Sequence, residues 1–197
     1  MTKRQDQIGQ RLDHPEQVPE EFQHLIPDDL ARVEWILSHP VSGRVLDVGC
    51  SDGAITRRIQ ERYPACLVWG SDVAYPGDWD IREYYNETGI PLGEPFDAIY
   101  CTEVLEHLFP HESRIALANL WRILVPGGQL IVTVPNRNYF ESMTMVPAIT
   151  LRARWDWPDH KQYFTYPVLL HALSRQFKTA RVEPIVDGIW LGAVCAK

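Results

Sequence analysis

The chain is short of positive charge and short of cysteine. Lys and Arg together number 19 against 26 Asp and Glu, a net charge of −7. A surface of that sign repels DNA, RNA and anionic lipid, so neither nucleic acid nor membrane is an expected partner. The cysteines are Cys50, Cys66, Cys101 and Cys195, with no Cys-x-x-Cys pair and no spacing that would close a zinc site. That rules against a disulfide framework and suits free thiols in a reducing compartment. No apolar run approaches membrane-spanning length, and Met1 to Gln7 lacks the apolar core of a secretion signal. The expected location is cytoplasmic. Repeats and low-complexity tracts are also missing. What remains is 197 residues, 45% hydrophobic and 23% charged, which is one ordinary globular domain with enough chain for its own core.

The most informative stretch is Val45-Leu46-Asp47-Val48-Gly49-Cys50-Ser51-Asp52-Gly53, followed by an amphipathic pattern from Ala54. An apolar run broken by a tight Gly-bearing loop and continued as a helix is the start of a nucleotide-binding α/β unit. Gly49 and Gly53 permit positive φ and close approach of the backbone to a ligand. Leu67 to Gly70 gives a second apolar run, and Asp72 follows it, placed to accept hydrogen bonds from a ribose diol. Charge decides between nucleotides. Asp47 and Asp52 flank the loop and nothing basic lies between Val45 and Thr56, so a pyrophosphate would be repelled where a helix N-terminus normally attracts it. A ligand with an ammonium, a sulfonium, a ribose and no phosphate fits instead. S-adenosylmethionine is such a ligand.

Four segments in this order resemble the class I S-adenosylmethionine-dependent methyltransferases, small-molecule branch: Val45–Gly53, Gly70-Ser71-Asp72, Pro95–His107 and Leu124–Asn136. Ser51 stands where that family most often has glycine. The resemblance implies a Rossmann-like α/β fold: a mostly parallel sheet with a C-terminal antiparallel hairpin and helices on both faces. It also implies a donor site of Asp47, Gly49, Cys50, Ser51, Gly53, Asp72, Val73, Asn86, Cys101, Thr102 and Glu103. Asn86 falls where the family contacts the adenine amino group, and Glu106-His107 resembles a pair common in this branch.

Taken along the chain, residues 1–20 are a polar arm and 21–197 a single domain. Pro27-Asp28-Asp29 caps a helix with Leu30, Val33, Ile36 and Leu37 at helical spacing. A third strand fits Asp80 to Tyr85, too close to Asp72 for the usual crossover helix, so the fold is shortened between strands 2 and 3. Phe96 to Cys101 reads as a buried strand, Ile115 to Leu124 as a helix ended by Pro126-Gly127-Gly128, and Gln129 to Val134 as a further strand. Residues 135–167 form a long aromatic segment, expected as an acceptor-site loop or lid; its candidate substrate-binding residues are Tyr139, Phe140, Trp155 and Tyr163, with Arg152 and Arg154 available to an anion. Val168 to Phe177 reads as a helix, and Asp187-Gly188 as the turn of a terminal hairpin.

Methyl transfer needs alignment more than acid–base help. A base matters only for a hydroxyl, an acidic carbon or a protonated amine, and the candidates are His107 and His160. His111 lies four residues from His107, but Pro110 breaks the helix that would align them, so no metal is expected. The position after the fourth strand reads Cys101-Thr102-Glu103-Val104 rather than Asn/Asp-Pro-Pro-Tyr, which disfavours adenine and glutamine amides as acceptors. The leading expectation is methylation of a small molecule or of a small group on a carrier or glycan, with O-methylation slightly favoured, S-adenosylhomocysteine as product, and a homodimer allowed for. The alternatives are a protein or peptide methyltransferase, a non-catalytic donor-binding partner subunit, and an NAD-dependent oxidoreductase, the last disfavoured by Asp47 and Asp52.

Overall fold

The computed structural model describes residues 26–72, 94–142 and 160–197. The 1–20 arm, the third strand at Asp80–Tyr85, the shortened connection before it, and Val73, Asn86, Arg152, Arg154 and Trp155 lie outside the described residues. Within them the order is α1 (Ile26–Leu37), β1 (Arg44–Val48), α2 (Ala54–Arg62), β2 (Leu67–Ser71), β3 (Phe96–Thr102), a single 3-10 turn (Leu105–His107), α3 (Pro110–Ile123), β4 (Leu124–Pro135), α4 (Arg137–Ser142), α5 (Tyr166–Ser174), β5 (Thr179–Ile185) and β6 (Trp190–Ala196).

The six described strands form one sheet in the order β2-β1-β3-β4-β6-β5. β1 pairs in parallel with β2 and β3, and β3 with β4; β6 runs antiparallel to both β4 and β5. The parallel strands are apolar on both faces, as strands covered on both sides must be. Alternate residues sort into two layers. Val45, Ala98, Tyr100 and Ile131 pack with Val33, Ile36 and Leu37 of α1 and Ala54 and Ile59 of α2. Leu46, Val48, Ile99, Cys101, Leu130 and Val132 pack with Leu117 and Leu120 of α3 and Leu169 and Leu173 of α5. Each fully buried Leu or Ile contributes roughly 1.5–3 kcal/mol.

The expected architecture is borne out, with local shifts. Leu30 is 43% exposed; the inward face of α1 is Asp29, Arg32, Val33, Ile36 and Leu37. Ile115 is likewise exposed, and α3 turns Leu117 and Leu120 inward. No coil separates α3 from β4: Leu124 already pairs with Phe96, and the Pro126-Gly127-Gly128 segment lies inside the strand. In the hairpin, positive φ begins one residue before Asp187-Gly188, at Val186 (49°) and Asp187 (52°), and Gly188 follows at 88°. A β-branched residue in that region is held by its surroundings. Here the Asn136 Nδ2 donates to the Gly188 carbonyl and the Asn136 N–H to that of Ile189. Asn136 also pairs with Phe164, so the two described ends of the 135–167 segment meet: the first carries α4, and Phe164 is buried in the main core.

Candidate functional site

The parallel strands β1, β2, β3 and β4 all deliver their carboxyl ends to one edge of the sheet, where open α/β sheets bind ligands. At β1 the loop is drawn down onto β2: the N–H groups of Gly49 and Cys50 both donate to the Ser71 carbonyl. Gly49 and Gly53 take φ of 73° and 79°. Ser51 also has positive φ, 51°, so it adopts the backbone that glycine would supply, at some strain. A Cβ at Gly49 would lie 2.4 Å from Val104 Cγ2. The space beside Gly49 is therefore taken up by the protein itself: Val104, leaving β3, packs against the loop.

Three carboxylates surround this loop. Ser51 N–H donates to Asp72 Oδ2 at 2.9 Å, tying the loop to the end of β2. Ala54 N–H donates to Asp52 Oδ1 at the start of α2. Asp47 is 1% exposed and accepts from Thr56 Oγ1 at 2.7 Å. Burial pushes the Asp47 carboxyl up to about 7; the Thr56 bond opposes this and the nearby Asp72 adds to it. Cys50 beside them is pushed up to about 12, by burial and then by Asp47 and Asp72, so its thiol is not a nucleophile near neutral pH.

At the end of β3, Cys101 and Thr102 are buried and Glu103 turns the chain with φ 57°. Both Glu103 carboxylate oxygens are taken, one by Thr133 Oγ1 and one by Trp190 Nε1, each at 2.9 Å. Glu103 thus links β3 to β4 and β6. Glu106 is 2% exposed, and its Oε2 has no hydrogen-bond partner. Burial first, and then the Glu103 charge, raise its carboxyl well above the usual carboxylate range. Its carbonyl receives the N–H groups of Lys161 and Gln162. That brings His160 from the aromatic segment onto His107: the ring centroids are 4.9 Å apart at 77°.

Glu106, His107 and His160 place one ligand atom each within 4.8 Å of one another. Such a trio could hold a divalent cation. The expectation of no metal rests on the cysteine spacing and on His107 with His111; the fold brings in His160 instead, 53 positions from His107 in sequence and invisible to spacing.

The aromatic candidates divide. Tyr163 lies 6.3 Å from His160, ring to ring, at the histidine pair. Tyr139 packs with Ile185, Ile189 and Trp190 in a small satellite core. Phe140 falls within α4. A residue missed by the periodicity is Arg32. It sits on the inward face of α1, 1% exposed, with its guanidinium carbon 5.3 Å from the Trp190 ring centre. An arginine three residues after Asp29 and four before Ile36, on the face shared with Val33 and Leu37, was the available signal. A cleft of about 530 Å³ lined by Pro40, Asp97, Gly127 and Gly128 opens at the opposite, amino edge. There Asp97 Oδ2 already accepts from Arg44 N–H, and the loops that carry the carboxylates and histidines lie at the other edge.

Comparison with known proteins agrees with this geometry. A family model described as a methyltransferase domain matches residues 16–180. A trans-aconitate 2-methyltransferase of Deinococcus radiodurans is 29% identical over 98% of the chain and 70% of its own length. A ubiquinone biosynthesis O-methyltransferase of Pseudomonas fluorescens is 29% identical over 60% of the chain, which matches 56% of that enzyme's length. Among solved structures, the N-methyltransferase NodS of Bradyrhizobium japonicum, in complex with S-adenosyl-L-homocysteine, superposes with a TM-score of 0.61, at 21% identity, over 96% of this chain and 98% of its own.

Proposed function

Because the chain belongs to the class I S-adenosylmethionine-dependent methyltransferases, we propose that it moves the donor's methyl group to a small-molecule acceptor, with an oxygen as the favoured atom. The observation that carries this reading is the acid-bordered loop of β1, pinned by Ser51 N–H to Asp72 at the end of β2. Its residues fit the donor. Asp72 ends β2 where a ribose would be met, Asp47 and Asp52 supply negative charge for an ammonium, and the loop brings no cation of its own to attract a phosphate. Gly49, Cys50, Ser51, Gly53 and Asp72 would hold the nucleoside side, and Asp47 with the backbone of Cys101, Thr102 and Glu103 the amino-acid side.

When bound, S-adenosylmethionine supplies a sulfonium methyl that an acceptor can displace directly. The chain's task is then to orient and to exclude water, which in the best cases contributes about 7–11 kcal/mol. Glu103, held by Thr133 and Trp190, keeps the β3 exit rigid. His107 and His160, stacked edge to face beside buried Glu106, stand where a hydroxyl acceptor could lose its proton, and Tyr163 borders the same place. The names of the relatives, one acting on a carboxylic acid and one an O-methyltransferase, favour oxygen as the acceptor atom.

Calorimetric titration with S-adenosylmethionine, S-adenosylhomocysteine and NAD tests the reading. Micromolar binding of the first two without NAD supports it, and Asp72→Ala should abolish that binding. Binding of NAD alone would refute the charge argument at the loop.

A further inference from the structure

We infer that Arg32 is the anion receptor of the acceptor site and that the acceptor carries a carboxylate. The inference rests on the donor-site reading above and names the substrate class of the same site. Arg32 is buried to 1% exposure, yet its Nε and Nη1 have no hydrogen-bond partner. Those two atoms carry three of a guanidinium's five N–H donors. Its ion contact with Asp29 spans 3.8 Å and involves Nη2 alone. The face of the group rests on Trp190, 5.3 Å from the ring centre, and Trp190 in turn donates to Glu103.

A guanidinium cannot shed its proton to escape burial, and an uncompensated buried charge costs several kcal/mol. Asp29 meets it through Nη2 alone, so Nε and Nη1 are left for an oxyanion supplied from outside. Glu106 does not serve, since its own buried Oε2 is also without a partner, although Arg32 is close enough to favour its ionised form. A buried guanidinium and a buried carboxyl oxygen left open together fit a ligand bearing a carboxylate for Arg32 and a hydroxyl for Glu106.

Position assigns that ligand to the acceptor. The donor's loop and Asp72 lie over β1 and β2, whereas Trp190 opens β6, on the far side of β3 and β4. The one buried guanidinium among the described residues lies on that far side, against Trp190 and beside Asp29. In a chain of net charge −7, such a local cation is what an anionic small molecule needs to bind at all.

The test uses the full chain saturated with S-adenosylhomocysteine, titrated with propane-1,2,3-tricarboxylate, fumarate, 4-hydroxybenzoate, their methyl esters and inorganic phosphate. At least one carboxylate should bind saturably, about tenfold or more tighter than its ester. Arg32→Met should weaken it by more than about 30-fold and Arg32→Lys by less, since lysine keeps the charge without the fork, both with S-adenosylhomocysteine affinity retained. Should Arg32→Met not fold, Arg32→Lys at unchanged melting temperature decides. Carboxylate affinity that survives both substitutions, or no saturable carboxylate binding by the wild type, overturns the inference. So does phosphate binding as tightly as any carboxylate, or loss of S-adenosylhomocysteine affinity in step with the substitution, which would put Arg32 in the donor site. A wild type that fails to bind S-adenosylhomocysteine strikes the donor-site reading instead; the carboxylates are then titrated against the free chain, where Arg32 is judged by the same comparison.

Discussion

The substitution Asp47→Asn should stabilise the protein above neutral pH and leave it unchanged in acid. The carboxyl's ordinary value is 3.8 and the folded protein raises it to about 7, chiefly through burial. Between those values the native state holds a proton that the unfolded chain has released, so stability falls as pH rises through this window and levels off above about 7. Each tenfold change in proton affinity is worth about 1.4 kcal/mol. The rise from 3.8 to about 7 therefore costs the wild type about 4 kcal/mol at pH 8 relative to pH 4. The introduced amide keeps an oxygen for the Thr56 hydroxyl, which lies 2.7 Å from Asp47 Oδ2, and removes the titration. Urea unfolding of both proteins at half-unit steps from pH 4 to 8.5 isolates the effect, because every other carboxylate cancels in the difference. The two curves should meet near pH 4 and diverge to about 2–4 kcal/mol in favour of the variant by pH 8. Parallel curves across the range would refute the reasoning. The same variant should bind S-adenosylmethionine more weakly, since the charge that destabilises the fold is the one proposed to face the donor's cation.

Gly49→Ala should cost about 2–4 kcal/mol, from a Cβ driven to 2.4 Å of Val104 Cγ2 and a backbone at φ 73°; Val104→Ala in the same chain should restore the steric part, and thermal melts of the single and double variants would show whether it does. Glu103→Gln should lose about 1–3 kcal/mol, because the amide keeps one oxygen for Trp190 and turns an NH2 toward the Thr133 hydroxyl, whose O–H then loses its acceptor, and the Trp near-ultraviolet circular dichroism should change with it. With a hydroxyl acceptor, His107→Ala or His160→Ala should lower kcat by about a hundredfold or more at unchanged donor affinity; with a carboxylate nucleophile, which is already ionised, neither should matter, and rate constants for both acceptor types distinguish the cases.

The fold was legible because its signals are local. Val45–Val48, Leu67–Gly70 and Phe96–Cys101 are apolar runs of strand length with turn residues beside them, and a parallel sheet demands that pattern. The shifts arose where one element ran directly into another. Pro126-Gly127-Gly128 reads as a break, yet the strand runs through it because Leu124 finds Phe96 across the sheet. Leu30 and Ile115 fit a helical stripe that the sheet does not meet; the side of α1 that is used carries Asp29 and Arg32, which a hydrophobic count scores as the outside.

The residues proposed for the donor could be read together for the same reason as the strands: the loop, its glycines and its acids lie within one βαβ unit, so spacing alone brings them together. The residues proposed for the acceptor come together from across the chain. His107 meets His160 because Lys161 and Gln162 hydrogen-bond the Glu106 carbonyl, and Arg32 of α1 meets Trp190 at the start of β6. Neither pairing has a period or a motif. A sequence announces such residues only by their cost: an arginine within an apolar stripe and a glutamate one residue after a buried leucine are expensive to bury, and a chain retains them where something outside it completes their bonding. By that argument the unsatisfied atoms of Arg32 and Glu106 describe the acceptor more closely than the aromatic segment does, since aromatic rings pack equally well against a ligand or against one another, as Tyr139 and Trp190 do.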